Sequence, residues 1–179
     1  NDWASYEGSL SGVIVDLANG VTSGGHAAGD QLRRIENLWG SSSADTFTGD
    51  DTDNIIEAGG GNDTLKGGKG NDTFVFNPGD GQDTIEDVEQ IANDVVDRIR
   101  FGAGILPEDI EILAAGPTDL VLGIAGTSDR LTVKGMFGAS GRDSRIEEIV
   151  FANGTAWSLA DIVGEVTTGT PGDDLIDLG

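Results

Sequence analysis

The sequence contains no cysteine, which excludes a disulfide framework and thiol chemistry. Basic residues are scarce, since 10 Lys and Arg stand against 32 Asp and Glu, and the formal net charge is -22. Binding to a phosphate backbone needs a basic patch, so we predict no nucleic-acid partner. Long apolar runs are also missing, and we predict no membrane span.

Signals for catalysis are equally few. His26 is the only histidine, and the sequence holds neither HExxH, nor GxSxG, nor GxxxxGK[ST]. With 32 acidic residues, some carboxylates will lie close together by chance, so a carboxylate pair is a weak indication of a glycosidase. Trp3, Trp39 and Trp157 could stack on sugars, although tryptophan more often lies in a core or an interface. We therefore predict that the chain is not an enzyme.

The chain has instead a nine-residue repeat between Gly49 and Val75. Its units are GDDTDNIIE (49–57), AGGGNDTLK (58–66) and GGKGNDTFV (67–75), and GSSSADTFT (40–48) fits the same frame more loosely. The sixth position is always Asp or Asn, namely Asp45, Asn54, Asp63 and Asp72. The eighth position is always large and apolar, namely Phe47, Ile56, Leu65 and Phe74. Self-similarity at a short fixed period is the signature of a stacked solenoid.

Each unit divides into a turn and a short strand. Its first positions are rich in glycine, which supplies the positive φ angles of a tight turn at little steric cost. Its last residues, such as DTLK and DTFV, suit an extended strand in which the apolar eighth position faces one way and its neighbours the other. A strand this short is expected to pair with copies of itself.

The pattern G-G-x-G-x-D-x-U-x, where U is apolar, resembles the RTX nonapeptide repeat of secreted bacterial proteins. The strict match covers 58–75, and 40–57 matches with substitutions. The resemblance implies an all-β fold, a parallel β-roll in which each unit stacks on the next but one. Phe47 would then lie over Leu65, and Ile56 over Phe74.

The resemblance also implies Ca²⁺ as the cofactor, a hard cation that takes roughly six to eight oxygen ligands. It implies sites between Asp45 and Asp63 and between Asn54 and Asp72, the latter weaker because Asn54 carries no charge. A further turn at 79–83 is predicted to bring Asp83 above Asp63, unless it is an ordinary Asp/Gly turn that ends the solenoid. The predicted metal ligands are Ser41, Ser43, Asp45, Asp50, Thr52, Asn54, Gly59, Gly61, Asp63, Gly68, Gly70, Asp72, Gly79, Gly81 and Asp83. The alternative is a loop segment rich in Gly, Asn and Asp that binds nothing.

Four segments are predicted. Residues 1–39 form irregular leader coils of the roll, with Val13, Val15 and Leu17 on one face of a strand, and 40–87 form the nonapeptide roll. Residues 88–164 are similar to the haemolysin-type calcium-binding related region, through RIRFGAGILPEDIEI, TDLVLGIAGTSDRLTVKGMF and RIEEIVFANGTAWSLADI. That segment is predicted to be a β-rich cap with short helical turns at Pro107 and after Ser158. Residues 165–179 restart the repeat with Asp174 at position six.

From this resemblance we expect a calcium-binding module that folds on Ca²⁺ after export. It would belong to a larger protein of a Gram-negative bacterium, carried out by type I secretion to the outside or the cell surface. Its partners would be calcium ions and further RTX repeats of the same chain. One alternative is an adhesin or a module that binds carbohydrate or a surface, and another is an accessory domain of a secreted polysaccharide-active enzyme or protease. The pattern does not decide whether Asp30, Glu36 or Asp174 coordinates metal.

Overall fold

The computed structural model of the chain describes residues 1–86, 96–114, 118–137 and 146–168. Within these ranges the regular elements are mainly short strands, joined by turns, with 3-10 turns at Gly25–Ala27 and Pro107–Asp109 and one α-helix. In chain order the elements are β1 (Trp3–Ser5), β2 (Ile14–Asp16), β3 (Val21–Ser23), β4 (Asn37–Trp39), β5 (Thr46–Thr48), β6 (Ile55–Glu57), β7 (Thr64–Lys66), β8 (Thr73–Phe76), β9 (Gln82–Ile85), β10 (Arg98–Phe101), β11 (Ile110–Ala114), β12 (Leu120–Ile124), β13 (Arg130–Val133), β14 (Glu148–Val150), β15 (Ala156–Ser158) and α1 (Leu159–Thr168).

The strands form two sheets, and the chain passes from one to the other with each repeat. The first sheet runs in the order β1-β4-β6-β8-β10-β14-β15, and the second in the order β11-β12-β13-β9-β7-β5-β2-β3. Pairing along the repeats is parallel, as in β5 with β7 and β6 with β8. The chain is therefore an all-β, parallel β-roll, as predicted.

The predicted stacking of each unit on the next but one is confirmed. Phe47 pairs with Leu65, and Ile56 pairs with Phe74. All four side chains are at most 1% exposed, because the eighth position of every strand faces the space between the two sheets. Val15, Ile85, Leu38, Ile99 and Ile149 extend this apolar core in both directions and are equally buried.

The leader segment continues both sheets. Strand β2 pairs in parallel with β5, and β4 pairs in parallel with β6. Val13 and Val15 are buried while Ile14 is 46% exposed, which is the alternation that the sequence predicts. Strand β3 folds back antiparallel on β2.

The parallel stack does not end at residue 87. Strand β10 pairs in parallel with β8 and places Ile99 on Phe74, and β13 pairs in parallel with β9. Beyond them the pairing becomes antiparallel, in β11–β12–β13 on one sheet and β14–β15 on the other. The segment 88–164 was predicted to be rich in β-strands, and its described residues hold β10 to β15, while the segment boundaries themselves stay predictions.

The predicted short helix after Ser158 is α1. Ser158 caps it, because the Asp161 N–H donates to Ser158 Oγ at 3.3 Å and the Ser158 N–H donates to Asp161 Oδ2 at 2.8 Å. The helix extends to Thr168, so residues 165–168, predicted as the start of a repeat block, lie in it. The rest of that block, with Asp173, Asp174 and Ile176, lies outside the described residues, as does Asp87.

Across the described ranges, no helix is both long and apolar enough to cross a membrane.

The core predicts a contrast between two isoleucines, Ile56 in the first sheet and Ile14 in the second. Ile56→Ala removes a side chain with no exposed surface, and we expect the free energy of unfolding in calcium to fall by about 2–5 kcal/mol. Ile14→Ala, at a side chain that is 46% exposed, should lower it by less than about 1 kcal/mol. Urea denaturation of both variants measures this, and equal losses would contradict the described core.

Candidate metal centre

The glycine-rich turns stack along two edges of the roll. The first edge holds the turns 40–45, 58–63 and 78–83, and the second holds 49–54 and 67–72. Along the first edge, the Asp45 N–H donates to Asp63 Oδ1 at 2.7 Å, and the Asp63 N–H donates to Asp83 Oδ1 at 2.9 Å. Along the second, the Asn54 N–H donates to Asp72 Oδ1 at 2.8 Å. The sixth positions of successive coils are thus tied to one another, as the repeat predicts.

These acidic side chains are buried. Asp45, Asp63 and Asp83 are at most 2% exposed. A buried charge is costly unless an opposite charge or a metal compensates it. In the described ranges the ion pairs join Lys66 to Glu86, Lys69 to Asp51, Arg98 to Glu148 and Lys134 to Asp119. None of these pairs includes Asp63 or Asp83.

One carboxylate oxygen of Asp63 identifies where a cation fits. Oδ1 accepts the Asp45 N–H, but Oδ2 is buried and has no hydrogen-bond partner among the described residues. Buried polar atoms in folded proteins are normally satisfied. An oxygen with a negative charge and no donor is the kind of ligand that Ca²⁺ takes.

Glycine leaves space beside backbone carbonyls of the neighbouring turn. Gly59 has φ +81°, and an added Cβ there would fall on the carbonyl oxygen of Ser41. Gly68 stands in the same relation to Asp50, and Gly81 to Gly61. A residue with a side chain would therefore collide with these carbonyl oxygens, and glycine leaves them uncovered. Such oxygens, together with one carboxylate per coil, suit Ca²⁺.

The predicted site residues differ in how far the protein already satisfies them. Asp45 Oδ1 accepts the Val13 N–H at 2.7 Å, and its Oδ2 accepts the Ser41 N–H at 2.6 Å. Asn54 Oδ1 accepts the Asp50 N–H at 2.8 Å, and its Nδ2 donates to the Glu36 carbonyl at 2.7 Å. Asn54 thus links two coils through its own amide. Asp63 and Asp83 fit a cation on the first edge, Asp72 and Asp97 are as deeply buried on the second edge, and the full ligand set stays a prediction.

Three buried acidic residues were missed by the sequence analysis. Asp97, which is 1% exposed, accepts the Asp72 N–H at 2.7 Å and continues the second edge. Its signal was Asp97-x-Ile99, the spacing of positions six and eight, inside a run interpreted only as a strand. Asp80 and Asp129 are each 7% exposed and lie near Asp83. Asp80 occupies a variable position of the repeat, and Asp129 lies outside the repeats.

Within the described part of the chain, no three His, Cys, Asp or Glu side chains converge to hold a metal ion by themselves. A site in these turns would therefore draw on backbone carbonyls beside its carboxylates.

Comparison with known families agrees with this geometry. The family described as RTX calcium-binding nonapeptide repeat (4 copies) matches residues 39–74 and 48–85. Residues 39–85 are therefore similar to the RTX calcium-binding repeat family. The family described as haemolysin-type calcium binding protein related domain matches residues 119–161. RTX repeats bind Ca²⁺, which confirms the predicted cofactor. Comparison with curated proteins gives no match.

The RTX turns of the first edge carry strongly perturbed carboxyl groups. Burial, with repulsion from Asp45 and Asp80, raises the pKa of Asp63 to about 7. Burial, with repulsion from Asp63, Asp80 and Asp129, raises the pKa of Asp83 to about 8. Without a cation, the folded roll therefore favours the protonated forms of these groups.

Substituting glycine tests whether the uncovered carbonyl oxygens of these turns contribute to calcium binding. Gly81→Ala places a Cβ on the Gly61 carbonyl oxygen, so we expect the calcium concentration for half-saturation to rise at least about tenfold. Gly104→Ala is the control, because Gly104 has a similar φ of +93° with no atom within 4 Å of an added Cβ. Calorimetric titration of both compares the effects. If the calcium concentration for half-saturation rose equally in the control, backbone strain alone would explain the effect.

The raised pKa values predict how stability depends on pH. A carboxyl whose pKa is raised on folding stabilises the fold below its unfolded value of 3.8, and this contribution is lost as pH rises to the folded pKa of about 7 or 8. Protein freed of metal on a chelating resin should thus resist urea better at about pH 5.5 than at about pH 8.5. Saturating calcium should reverse the order, because ligands must be ionised. The same order in both conditions would contradict the assigned carboxylates.

Proposed function

We propose that this chain is a calcium-dependent folding module of a larger secreted protein. The observation that carries the proposal is the pair of buried carboxylates Asp63 and Asp83, each at most 2% exposed and outside every ion pair of the described residues. With a net charge of -22, the unliganded turns repel one another. Such a chain gains little from folding until the charge is offset.

The residues that would hold the ion are the sixth-position carboxylates and the turn carbonyls. Bound calcium supplies positive charge and a set of oxygen bonds between neighbouring coils. The chain itself links each sixth position to the next coil, as the Asp45 N–H does by donating to Asp63. Its glycines leave the neighbouring carbonyl oxygens uncovered. Because the ion binds only the stacked turns, it stabilises them by mass action.

The proposal extends to the cell. RTX repeats are typical of secreted proteins. We infer that the chain leaves a Gram-negative cell unfolded, through type I secretion, where free calcium is scarce, and folds outside where calcium is abundant. The RTX repeat family is a structural, non-catalytic module, so any catalytic or adhesive activity of the parent protein would belong to other parts of it.

One observation bears on the alternative of a carbohydrate-binding module. Trp3 and Trp39 are 44% and 37% exposed on the outer face of the first sheet. Their rings lie edge to face, with centroids 6.5 Å apart and planes at 66°. A sugar ring stacks on a flat aromatic face, and this pair does not present one continuous platform. Trp157 is partly buried, and its ring packs edge to face on the buried Phe151. The calcium module is thus the better-supported function.

Far-ultraviolet circular dichroism during a calcium titration of metal-free protein tests the proposal. We expect a cooperative gain of β signal with calcium and none with magnesium, which demands a smaller octahedral site. Asp63→Asn should move the midpoint to higher calcium because one buried charge is lost. A native signal in metal-free protein that calcium does not change would contradict the proposed function.

A further inference from the structure

The last turn of the first edge is clamped by a loop from the far part of the chain. We name residues 77–83 the terminal turn. The loop 125–129, between β12 and β13, lies against it. The Gly79 N–H donates to Asp129 Oδ2 at 2.8 Å, and the Arg130 N–H donates to the Gly81 carbonyl at 2.8 Å. Two of the predicted ligand residues are therefore held by the segment that matches the related domain.

Asp80 differs from the residues at the same position of the other units. Position three is exposed at Ser42, Asp51 and Lys69 but buried at Asp80, which is 7% exposed. Its Oδ2 accepts the Asn77 N–H at 2.6 Å, which turns the carboxylate inward. The repeat pattern would allow this side chain to be exposed. Burying its charge instead costs free energy, which an opposite charge has to offset.

Asp129 shows the same departure. The four residues before it, 125–128, are all exposed, and Asp129 itself is 7% exposed. Arg130, its neighbour, does not neutralise it, because the guanidinium Nη1 donates to the carbonyls of Thr127 and Asp129 and not to a carboxylate.

Four buried carboxylates thus lie in the terminal turn or beside it. Asp83 is close enough to Asp63, Asp80 and Asp129 for its charge to be repelled by all three, and Asp63 is repelled by Asp80. The four side chains are at most 7% exposed, and none belongs to an ion pair of the described residues. The buried Asp63 Oδ2, which no described donor reaches, belongs to this group and indicates a cation independently of the charges.

We propose that the calcium site between Asp63 and Asp83 is the tightest of the three sites predicted in the repeats and the first of them to fill, because Asp80 and Asp129 add two buried negative charges that the repeat does not supply. Calcium affinity rises with the charge around the site and with the rigidity of its turns. Since no three of these carboxylates converge on one point, Asp80 and Asp129 act through their charge and by fixing the turn. This inference rests on the proposed calcium-dependent folding.

The site between Asp45 and Asp63 and the site between Asn54 and Asp72 lack this arrangement. Asp45 already accepts hydrogen bonds from Val13 and Ser41, and Asn54 is uncharged and bonded through both ends of its amide. The sites that they border thus have less uncompensated charge to offer a cation than the terminal turn has.

Asp80→Asn and Asp129→Asn test the inference, since each keeps the shape of the side chain and removes one charge. Isothermal titration of metal-free protein with calcium should show the tightest binding class weakened about tenfold or more in each variant, with the weaker classes unchanged. Asp51→Asn is the matched control, because Asp51 holds the same position of its unit but is exposed. Nitrogen-15 NMR should show the Gly79 and Gly81 amides shifting with the first equivalent of calcium.

An unchanged tight class in both variants, or a loss no larger than in Asp51→Asn, would overturn the inference. If Asp129→Asn does not fold in saturating calcium, Asp80→Asn decides, since its carboxylate contacts only its own turn through Asn77. Failure of the proposed function looks different, because the unmodified protein would then be folded without calcium.

Discussion

Stacking the turns of this roll brings like charges together in a place that water does not reach. Each coil donates the N–H of its sixth position to the carboxylate of the next, from Asp45 to Asp63 and from Asp63 to Asp83. The hydrogen bonds that define the coil spacing are therefore the same bonds that bury the carboxylates. The apolar core favours the stack and the buried carboxylates oppose it, so that under the proposed function a cation decides the balance.

The other features of the repeat follow from this arrangement. Glycine is needed where the backbone of one turn approaches a carbonyl of the next, as Gly81 approaches Gly61, because an added Cβ would collide with the carbonyl oxygen. Strands of three residues suffice because each pairs with a copy of itself on both sides, as β7 does with β5 and β9. Beyond the repeats, the hairpin loop that carries Asp129 binds the terminal turn through the Gly79 N–H. The far part of the chain therefore packs directly against the first edge.

The parallel stack and its register could be predicted from the resemblance to the RTX repeat, which implies that each unit stacks on the next but one and so buries Phe47, Ile56, Leu65 and Phe74 together. The sequence was also sufficient for the Ser158 cap of α1, a local hydrogen-bond pattern. Asp129 could not be found in this way, since its contact with Gly79 spans 50 residues and follows from the pairing of β13 with β9. Asp97 was within reach, but the irregular spacing before it hid the sixth-position pattern.

Hydrogen exchange followed by mass spectrometry, with and without calcium, tests the central claim most directly because it reports on the repeats themselves. The account predicts that amides in residues 40–86 exchange as fast as in an unfolded chain when metal is absent and become protected together when calcium is added. Equal protection of these amides in metal-free protein at neutral pH would contradict it, because the stacked carboxylates would then be stable without a cation.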